Sequence, residues 1–329
     1  MTTLLDALVI DMGGTNIRLG LLAQNLLVPQ YVETYEIDAF PSLADVISLF
    51  LSKAPPHAIK QACIDVATPV TGDLIKLTNH DWSFSISAIG QQFGFQRVKV
   101  INDFTALALS IPLLSPNELK LVGQGSADPD GTIGLLGPGT GLGVSGLVRS
   151  AAGLYPISGE GGHVTIGARN ARELAIFSAF WERYGHMSAE RLLSGTGLEE
   201  IYVVIAKLNG IEAEPLLPEE ISARAVNKSC PICIEVMNMF CEWLGIVSAN
   251  LVLTLGATGG LYIGGGIVPK LGDYFIKSNF REMFETKGRF QNFMRGIPVY
   301  IINADQPALR GAASALSVRF ERIGLTWRA

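Results

Sequence analysis

The chain has 329 residues, of which 48% are hydrophobic and 17% charged, and its formal net charge is −5. This length is sufficient for two domains that each bury a hydrophobic core. Lys and Arg are scattered without a basic stripe or interleaved aromatic residues, so we expect no nucleic-acid partner.

Membrane association and secretion are also not expected. The longest uncharged stretch, residues 243–269, carries several glycines in its second half, which predicts a buried helix followed by a buried strand. No Lys or Arg precedes Arg18, so no signal peptide is predicted. Cys230 and Cys233 form an isolated C-x-x-C pair among apolar neighbours, which favours packing over metal binding or redox chemistry. Four cysteines in a chain of this size indicate the reducing cytoplasm.

Residues 7–22, ALVIDMGGTNIRLGLL, predict a β-hairpin. Two short apolar runs flank Gly13 and Gly14, which are expected to form the turn because glycine tolerates positive φ and lets backbone N–H groups approach a ligand. Asp11 leads into this turn, and Thr15 and Asn16 follow it. Backbone N–H groups at such a tip suit phosphate oxygens, and the carboxylate could hold a hydrated cation. An ordinary hairpin without a ligand is the alternative.

Strands and helices alternate in the next part of the chain. Asn102 and Asp103 follow a predicted strand directly, at the carboxyl end where open α/β sheets bind ligands. They also suit the start of the next helix, and capping is compatible with catalysis. The predicted elements are a strand at 28–37, a helix at 43–51 capped by Ser42, a strand at 59–67, an irregular loop at 68–85, a strand at 97–101 and a helix at 104–110.

A second hairpin is predicted at residues 132–148, after a domain change near Leu113. Its turn is Gly139, Thr140 and Gly141, so the arrangement of the first hairpin repeats about one domain length later, which indicates a duplicated unit. A G-x-G-x-x-G pattern begins at Gly141, but no helical period follows it, which argues against a dinucleotide site. No G-K-[ST] is present, so a P-loop is excluded.

Two acidic residues and a histidine stand out in the following segment. Glu160 and His163 lie three residues apart in a glycine-rich turn, where they could bind hydroxyl groups or a metal. Ser188 is expected to cap a short helix with Glu190 in its first turn. The alternative for Glu190 is a favourable interaction with the helix dipole, worth about 0.3–1 kcal/mol.

The last part of the chain is predicted to be mainly helical. A strand at 261–267 enters a turn of Gly264, Gly265 and Gly266, which would let a flat group approach the backbone or form a simple tight turn. The other predicted elements are helices at 171–184, 198–208, 232–255, 275–284 and 309–320, a basic loop at 286–290 and a strand at 299–302.

Seven strings occur in the following order along the chain: LVIDMGGTNIRLGLL, TNHDWSFS, INDFTALALSIP, GPGTGLGV, SGEGGHVTIG, SAERLLSGTGLEEIY and GGLYIGGGI. Together they resemble the bacterial glucokinase family, in the superfamily of sugar kinases, heat-shock chaperones and actin. The resemblance implies an α/β fold of two ribonuclease-H-like (actin/hexokinase-type) domains flanking a nucleotide/sugar cleft. It implies a smaller domain of residues 1–112 plus about 303–329 and a larger domain of residues 113–302.

The resemblance also implies an activity: ATP-dependent phosphorylation of glucose at the 6-hydroxyl, with Mg²⁺, by a cytoplasmic homodimer in glycolysis. Asp103 is the expected general base, because the sugar hydroxyl needs a proton acceptor within hydrogen-bond reach. Asp11 is expected to contact the metal through water. The implied cofactor-binding residues are Asp11, Gly13, Gly14, Thr15, Asn16, Gly139, Thr140, Gly141, Gly264, Gly265 and Gly266, and the implied sugar-binding residues are Asn102, Asp103, Glu160, His163 and Glu190.

Other functions on the same fold are less favoured by the sequence. A kinase for fructose or mannose is the nearest alternative, and polyphosphate could replace ATP as donor. A non-catalytic sugar sensor would need a DNA-binding segment, for which the sequence before the first hairpin offers no room. A chaperone- or filament-type ATPase would lack a set of hydroxyl-binding side chains.

Overall fold

The computed structural model describes residues 5–24, 26–78, 80–151, 153–317, 320 and 323–329. The chain divides into two compact units. Unit 1 comprises residues Met1–Ser115, Ser150–Ser158 and Ala304–Ala329, and unit 2 comprises Pro116–Arg149 and Gly159–Asn303.

The described residues form both parallel and antiparallel strands, in line with an α/β class. The strands are β1 (Leu5–Met12), β2 (Asn16–Ala23), β3 (Tyr31–Glu36), β4 (His57–Val66), β5 (Leu74–Lys76), β6 (Ser83–Ser85), β7 (Arg97–Asn102), β8 (Leu119–Val122), β9 (Ile133–Pro138), β10 (Leu142–Ser150), β11 (Gly153–Ser158), β12 (Leu261–Ile263), β13 (Val299–Ile302) and β14 (Leu325–Arg328).

Helices connect and cover these strands, and most of them lie in unit 2. They are α1 (Leu43–Lys53), α2 (Ile86–Phe93), α3 (Asp103–Ser110), α4 (Ala171–Tyr184), α5 (Gly195–Leu208), α6 (Pro218–Val226), α7 (Pro231–Leu255), α8 (Ile267–Leu271), α9 (Asp273–Ile276), α10 (Phe280–Glu285), α11 (Gln291–Gly296) and α12 (Pro307–Ala315).

The sheet of unit 1 has the strand order β14-β7-β4-β1-β2-β3. Strands β1, β4 and β7 are parallel, so their carboxyl ends lie at one edge of the sheet. Helices α3 and α12 cross closely at Gly311, where an added Cβ would lie 1.7 Å from the Ala106 carbonyl oxygen. Only glycine allows these helices to pack at this distance.

Unit 2 contains five strands in the order β10-β9-β12-β13-β8, packed with a long central helix. This helix, α7, is apolar on most sides and buries large side chains such as Phe240 and Trp243. It is the one helix in the described ranges that is long and apolar enough to cross a membrane, but 61% of its most apolar 18-residue window is buried inside the chain. The predicted buried helix followed by a buried strand is therefore confirmed.

The C-x-x-C pair lies at the start of the same helix. Cys230 caps α7 by accepting a hydrogen bond from the backbone N–H of Cys233 at 3.5 Å, and Cys233 is buried in the core of unit 2. Both thiols are free. The predicted packing role is confirmed.

Several predicted elements differ from those observed. The segment predicted as a loop at 68–85 contains the hairpin β5–β6, and the predicted helix at 275–284 is divided into α9 and α10. Strand β12 ends at Ile263 rather than at residue 267, because the three glycines leave the strand. The short elements that were not predicted from the sequence are α2, α6, α8, α11, β8, β11 and β14.

Candidate functional site

The tip of the first hairpin lies between the end of β1 and the start of β2. The Gly13 N–H donates to the Asn16 carbonyl oxygen at 3.0 Å, and the Thr15 carbonyl accepts from Ile37 N–H at 3.0 Å. Gly14 and Thr15 are exposed. Neither glycine has positive φ, so the positive φ expected at this turn was wrong. A Cβ at Gly14 would meet nothing within 4 Å, so the glycine instead leaves open space beside the backbone.

Asp11 is held in place next to this tip. It lies opposite Arg18 in the β1–β2 register, and Arg18 Nη1 donates to Asp11 Oδ2 at 2.9 Å. The aspartate is only 9% exposed. Its carboxylate is therefore fixed near the hairpin, as a group that organises a hydrated cation needs to be.

Asp65 is a further acidic residue at this edge and was not predicted as a site residue from the sequence. It is the parallel-strand neighbour of Asp11, is completely buried, and neither of its oxygens has a hydrogen-bond partner among the described residues. Burial, followed by the nearby carboxylates of Asp11 and Asp103, raises the pKa of Asp65 well above its ordinary value. The signal in the sequence was one aspartate within the apolar run of β4.

Asn102 and Asp103 lie where β7 ends and α3 begins. Asn102 Oδ1 accepts from the backbone N–H groups of Phe104 at 3.0 Å and Thr105 at 3.2 Å, so the predicted cap is confirmed. Asp103 Oδ1 accepts from Phe104 N–H at 2.8 Å. Unit 1 therefore places Asn102 and Asp103 at the same sheet edge as Asp11.

The tip of the second hairpin lies between β9 and β10. The Gly139 N–H donates to the Gly141 carbonyl at 2.8 Å, and the Gly139 carbonyl accepts from Gly195 N–H, at the start of α5, at 2.9 Å. Thr140 is exposed, and neither glycine of the tip has positive φ. The second tip therefore repeats the plan of the first within unit 2.

Glu190 and His163 come together beside this second tip. Glu190 lies in a 3₁₀ turn, Ala189–Arg191, capped by Ser188 as predicted. Its Oε1 lies 3.8 Å from His163 Nδ1, and its Oε2 accepts from the backbone N–H of Leu142 at 2.9 Å. Glu160 starts the turn that carries His163 and is exposed.

The three consecutive glycines lie next to the same hairpin. The Gly264 N–H donates to the Leu136 carbonyl at 2.8 Å. This hydrogen bond extends the parallel pairing of β12 with β9 by one residue. Gly265 has φ +75°, and an added Cβ would lie 2.3 Å from the Pro138 carbonyl oxygen. Gly265 and Gly266 are exposed, so a planar group could approach their backbone.

The predicted site residues thus form two groups, each within one unit. Unit 1 holds Asp11, Gly13, Gly14, Thr15, Asn16, Asn102 and Asp103, and unit 2 holds Gly139, Thr140, Gly141, Glu160, His163, Glu190, Gly264, Gly265 and Gly266. Among the residues that the structure describes, no group of three or more His, Cys, Asp or Glu could hold a metal.

Comparison with known proteins identifies the family. A glucokinase family model matches residues 8–318. The chain belongs to the glucokinase family. The glucokinase of Aromatoleum aromaticum is 46% identical over 313 residues, covering 94% of both chains. That of Photorhabdus laumondii is 41% identical and covers 97% of this chain and 99% of its own.

A solved glucokinase structure is similar to this chain in both fold and sequence. The crystal structure of glucokinase from an Antarctic psychrotroph is similar with a TM-score of 0.83 and 36% identity, covering 94% of this chain and 98% of that one. The resemblance predicted from the seven strings is therefore confirmed, together with the two-domain kinase fold class that it implied.

Proposed function

We propose that this chain acts as an ATP-dependent glucokinase, with a role for each residue of the candidate site. The enzyme transfers the terminal phosphoryl group of ATP to the 6-hydroxyl of glucose. Family membership across nearly the whole chain carries the assignment of the activity. Phosphoryl transfer depends mainly on positioning and on neutralising phosphate charge.

The two glycine-threonine tips are proposed to bind the phosphates of ATP. Their exposed residues, Gly14 and Thr15 in one and Thr140 in the other, leave room for phosphate oxygens beside backbone N–H groups. The exposed backbone at Gly265 and Gly266 is proposed to meet the adenosine. Gly266 supports this role, because an added Cβ there would meet nothing within 4 Å.

Mg²⁺ is proposed to accompany ATP, with Asp11 contacting it through water. Mg²⁺ keeps several waters and needs only one or two carboxylates when substrate phosphates supply further oxygens. The single carboxylate of Asp11, fixed by Arg18, fits that requirement. Bound there, the cation would neutralise phosphate charge.

Asp103 is proposed as the general base that accepts the proton of the sugar hydroxyl. Its position in the first turn of α3, at the carboxyl edge of the sheet, supports this role. Asn102, Glu160, His163 and Glu190 are proposed to bind the other sugar hydroxyls. A hexose with the wrong configuration would leave such groups unpaired, at a cost of about 1–3 kcal/mol each.

The remaining assignments are also proposals. We place the protein in the cytoplasm and in glycolysis, as a homodimer without a nucleic-acid or membrane partner; the four free cysteines support a reducing compartment. We also propose that unit 1 and unit 2 correspond to the smaller and larger domains. The domain boundaries given from sequence stay predictions.

A coupled assay with Mg-ATP and a panel of hexoses tests the proposed activity. Glucose is expected to be phosphorylated in preference to fructose and mannose, and polyphosphate is included as a competing donor. Lack of turnover with every hexose and both donors would contradict the assignment.

Two variants test the role of Asp103. Asp103→Asn is expected to lower kcat by about 10²–10⁴ while glucose still binds. Asp45→Asn is the matched control, since Asp45 also lies in the first turn of a helix, α1, and is exposed. Turnover close to that of the control in Asp103→Asn would remove Asp103 from the base role.

A further inference from the structure

Glu190 contacts two parts of the candidate site at once. One carboxylate oxygen accepts the backbone N–H of Leu142 at 2.9 Å, and the other lies 3.8 Å from His163 Nδ1. Leu142 is the first residue of β10, directly after the second tip. A single carboxylate therefore joins the proposed phosphate hairpin to the proposed sugar residues.

The packing around this contact is tight on both sides of Leu142. A Cβ on Gly141 would lie 2.6 Å from Glu190 Oε2, and a Cβ on Gly162 would lie 2.1 Å from the Leu142 carbonyl oxygen. The cross-strand partner of Leu142 is Pro138, which has no N–H to donate. Pro138 therefore cannot donate to the Leu142 carbonyl, and the N–H of Leu142 is accepted by the Glu190 carboxylate.

The turn that carries Glu190 is fixed to the turn that carries His163. The Ala189 N–H donates to the Val164 carbonyl at 2.9 Å, and Thr165 forms a β-bridge with Ser188. The Glu190 side chain is nevertheless 32% exposed and that of His163 60% exposed. A ligand can therefore reach both side chains without breaking the backbone contacts between the two turns.

We propose that Glu190 is a positioning residue for the second phosphate hairpin in addition to its proposed role as a sugar ligand. Its hydrogen bond to Leu142 orients the backbone of Gly139–Gly141 for the phosphates. This inference rests on the proposed function, because it assigns the two neighbouring groups to nucleotide and sugar. Since both ligands then act on one carboxylate, their binding energies are coupled.

ADP affinity without sugar, measured by isothermal titration calorimetry, tests the positioning role in the full chain. Glu190→Ala is expected to weaken ADP binding about tenfold, the effect of losing one charge-assisted hydrogen bond. Glu190→Gln keeps an acceptor oxygen and is expected to stay within about threefold of the unmodified chain. Glu182→Ala, an exposed glutamate on α4, is the control and is expected to have no effect. An unchanged ADP affinity in Glu190→Ala would overturn the inference.

Gly141→Ala provides a second test that does not depend on removing the carboxylate. The added methyl group would displace Glu190, so ADP binding is expected to weaken about tenfold in the unmodified chain but less than twofold in Glu190→Ala. Equal losses in both backgrounds would overturn the inference. Circular dichroism and Tm confirm that each variant is folded.

The outcomes for this inference and for the proposed function can be told apart. If the unmodified chain phosphorylates glucose and Glu190→Ala binds ADP normally, the positioning role fails and the function stands. If no sugar is phosphorylated while ADP affinity depends on Glu190, the function fails and the contact with Leu142 is still supported.

Discussion

The buried Lys99 predicts a specific pH dependence of stability in unit 1. Its side chain is completely buried in the middle of β7, and its Nζ donates to the carbonyl oxygen of Phe320. Burial lowers the pKa of Lys99 from its ordinary value of 10.5 to about 8; the neighbouring Cys63 opposes this shift and Arg97 adds to it. The folded state therefore holds this proton less tightly than the unfolded state.

The sign and size of the effect follow from proton linkage. Between about pH 8 and 10.5 the unfolded chain binds more protons at this lysine, so the Lys99 contribution to the free energy of unfolding increases as pH rises. The slope is at most about 1.4 kcal/mol per pH unit. The full pKa difference corresponds to an upper limit of about 3.4 kcal/mol.

Lys99→Met tests this reasoning. Urea unfolding is followed by tryptophan fluorescence between pH 7.5 and 10, and the free energy of Lys99→Met is subtracted from that of the unmodified chain at each pH. This difference is expected to shift by at least about 1 kcal/mol in favour of the unmodified chain as pH rises. Subtraction removes the contributions of cysteines and tyrosines that titrate in both proteins.

Lys60→Met is the matched control, because Lys60 is an exposed lysine on the adjacent strand β4. The difference in the free energy of unfolding between Lys60→Met and the unmodified chain is expected not to change with pH. Lys99→Met also loses the hydrogen bond to Phe320, which changes its free energy of unfolding by a constant amount. The quantity that tests the prediction is therefore the slope of the free-energy difference against pH. A flat difference for Lys99→Met would refute the linkage argument.

Three further predictions concern packing, a buried acid and the sugar residues. Gly311→Ala is expected to lower the free energy of unfolding by about 1–3 kcal/mol because its methyl group would meet the Ala106 carbonyl, whereas Gly296→Ala, in open space, should lower Tm far less. Because the pKa of Asp65 is raised in the folded state, the contribution of Asp65 to stability is complete below its unfolded pKa and is lost as pH rises through its folded pKa. Asp65→Asn should therefore raise Tm more at pH 7.5 than at pH 4. An equal change in Tm at the two pH values would contradict the raised pKa. Glu160→Gln should raise KM for glucose much more than KM for ATP in steady-state assays, and equal increases would indicate a folding defect instead.

The sequence was sufficient to predict both hairpins and the cap at Asn102. Each depends on neighbours within a few residues, such as short apolar runs beside a glycine turn, and local patterns are readable directly. The seven strings added the family, which no periodicity could have supplied. The roles of the individual site residues stay predictions.

The features that the sequence did not predict depend on distant parts of the chain. Glu190 meets Leu142 across 48 positions, and Asp65 meets Asp11 only through the pairing of β1 and β4. The glycines at the two tips predicted the turns correctly, but none of them has positive φ. The space that they leave depends on neighbours in three dimensions, which the sequence does not show. Strand β14 is short and is stabilised by pairing with β7, more than 200 residues earlier.

The crossing of α3 and α12 has a consequence for biosynthesis. The helix that begins at Asp103 packs on residues 307–315, and the strand leading into it pairs with residues 325–328. These partners follow β7 by about 200 residues in the sequence, so the segment around Asp103 cannot complete its packing until they too have left the ribosome. The surroundings of the proposed base therefore fold later than the first hairpin, whose strands β1 and β2 are neighbours in the sequence.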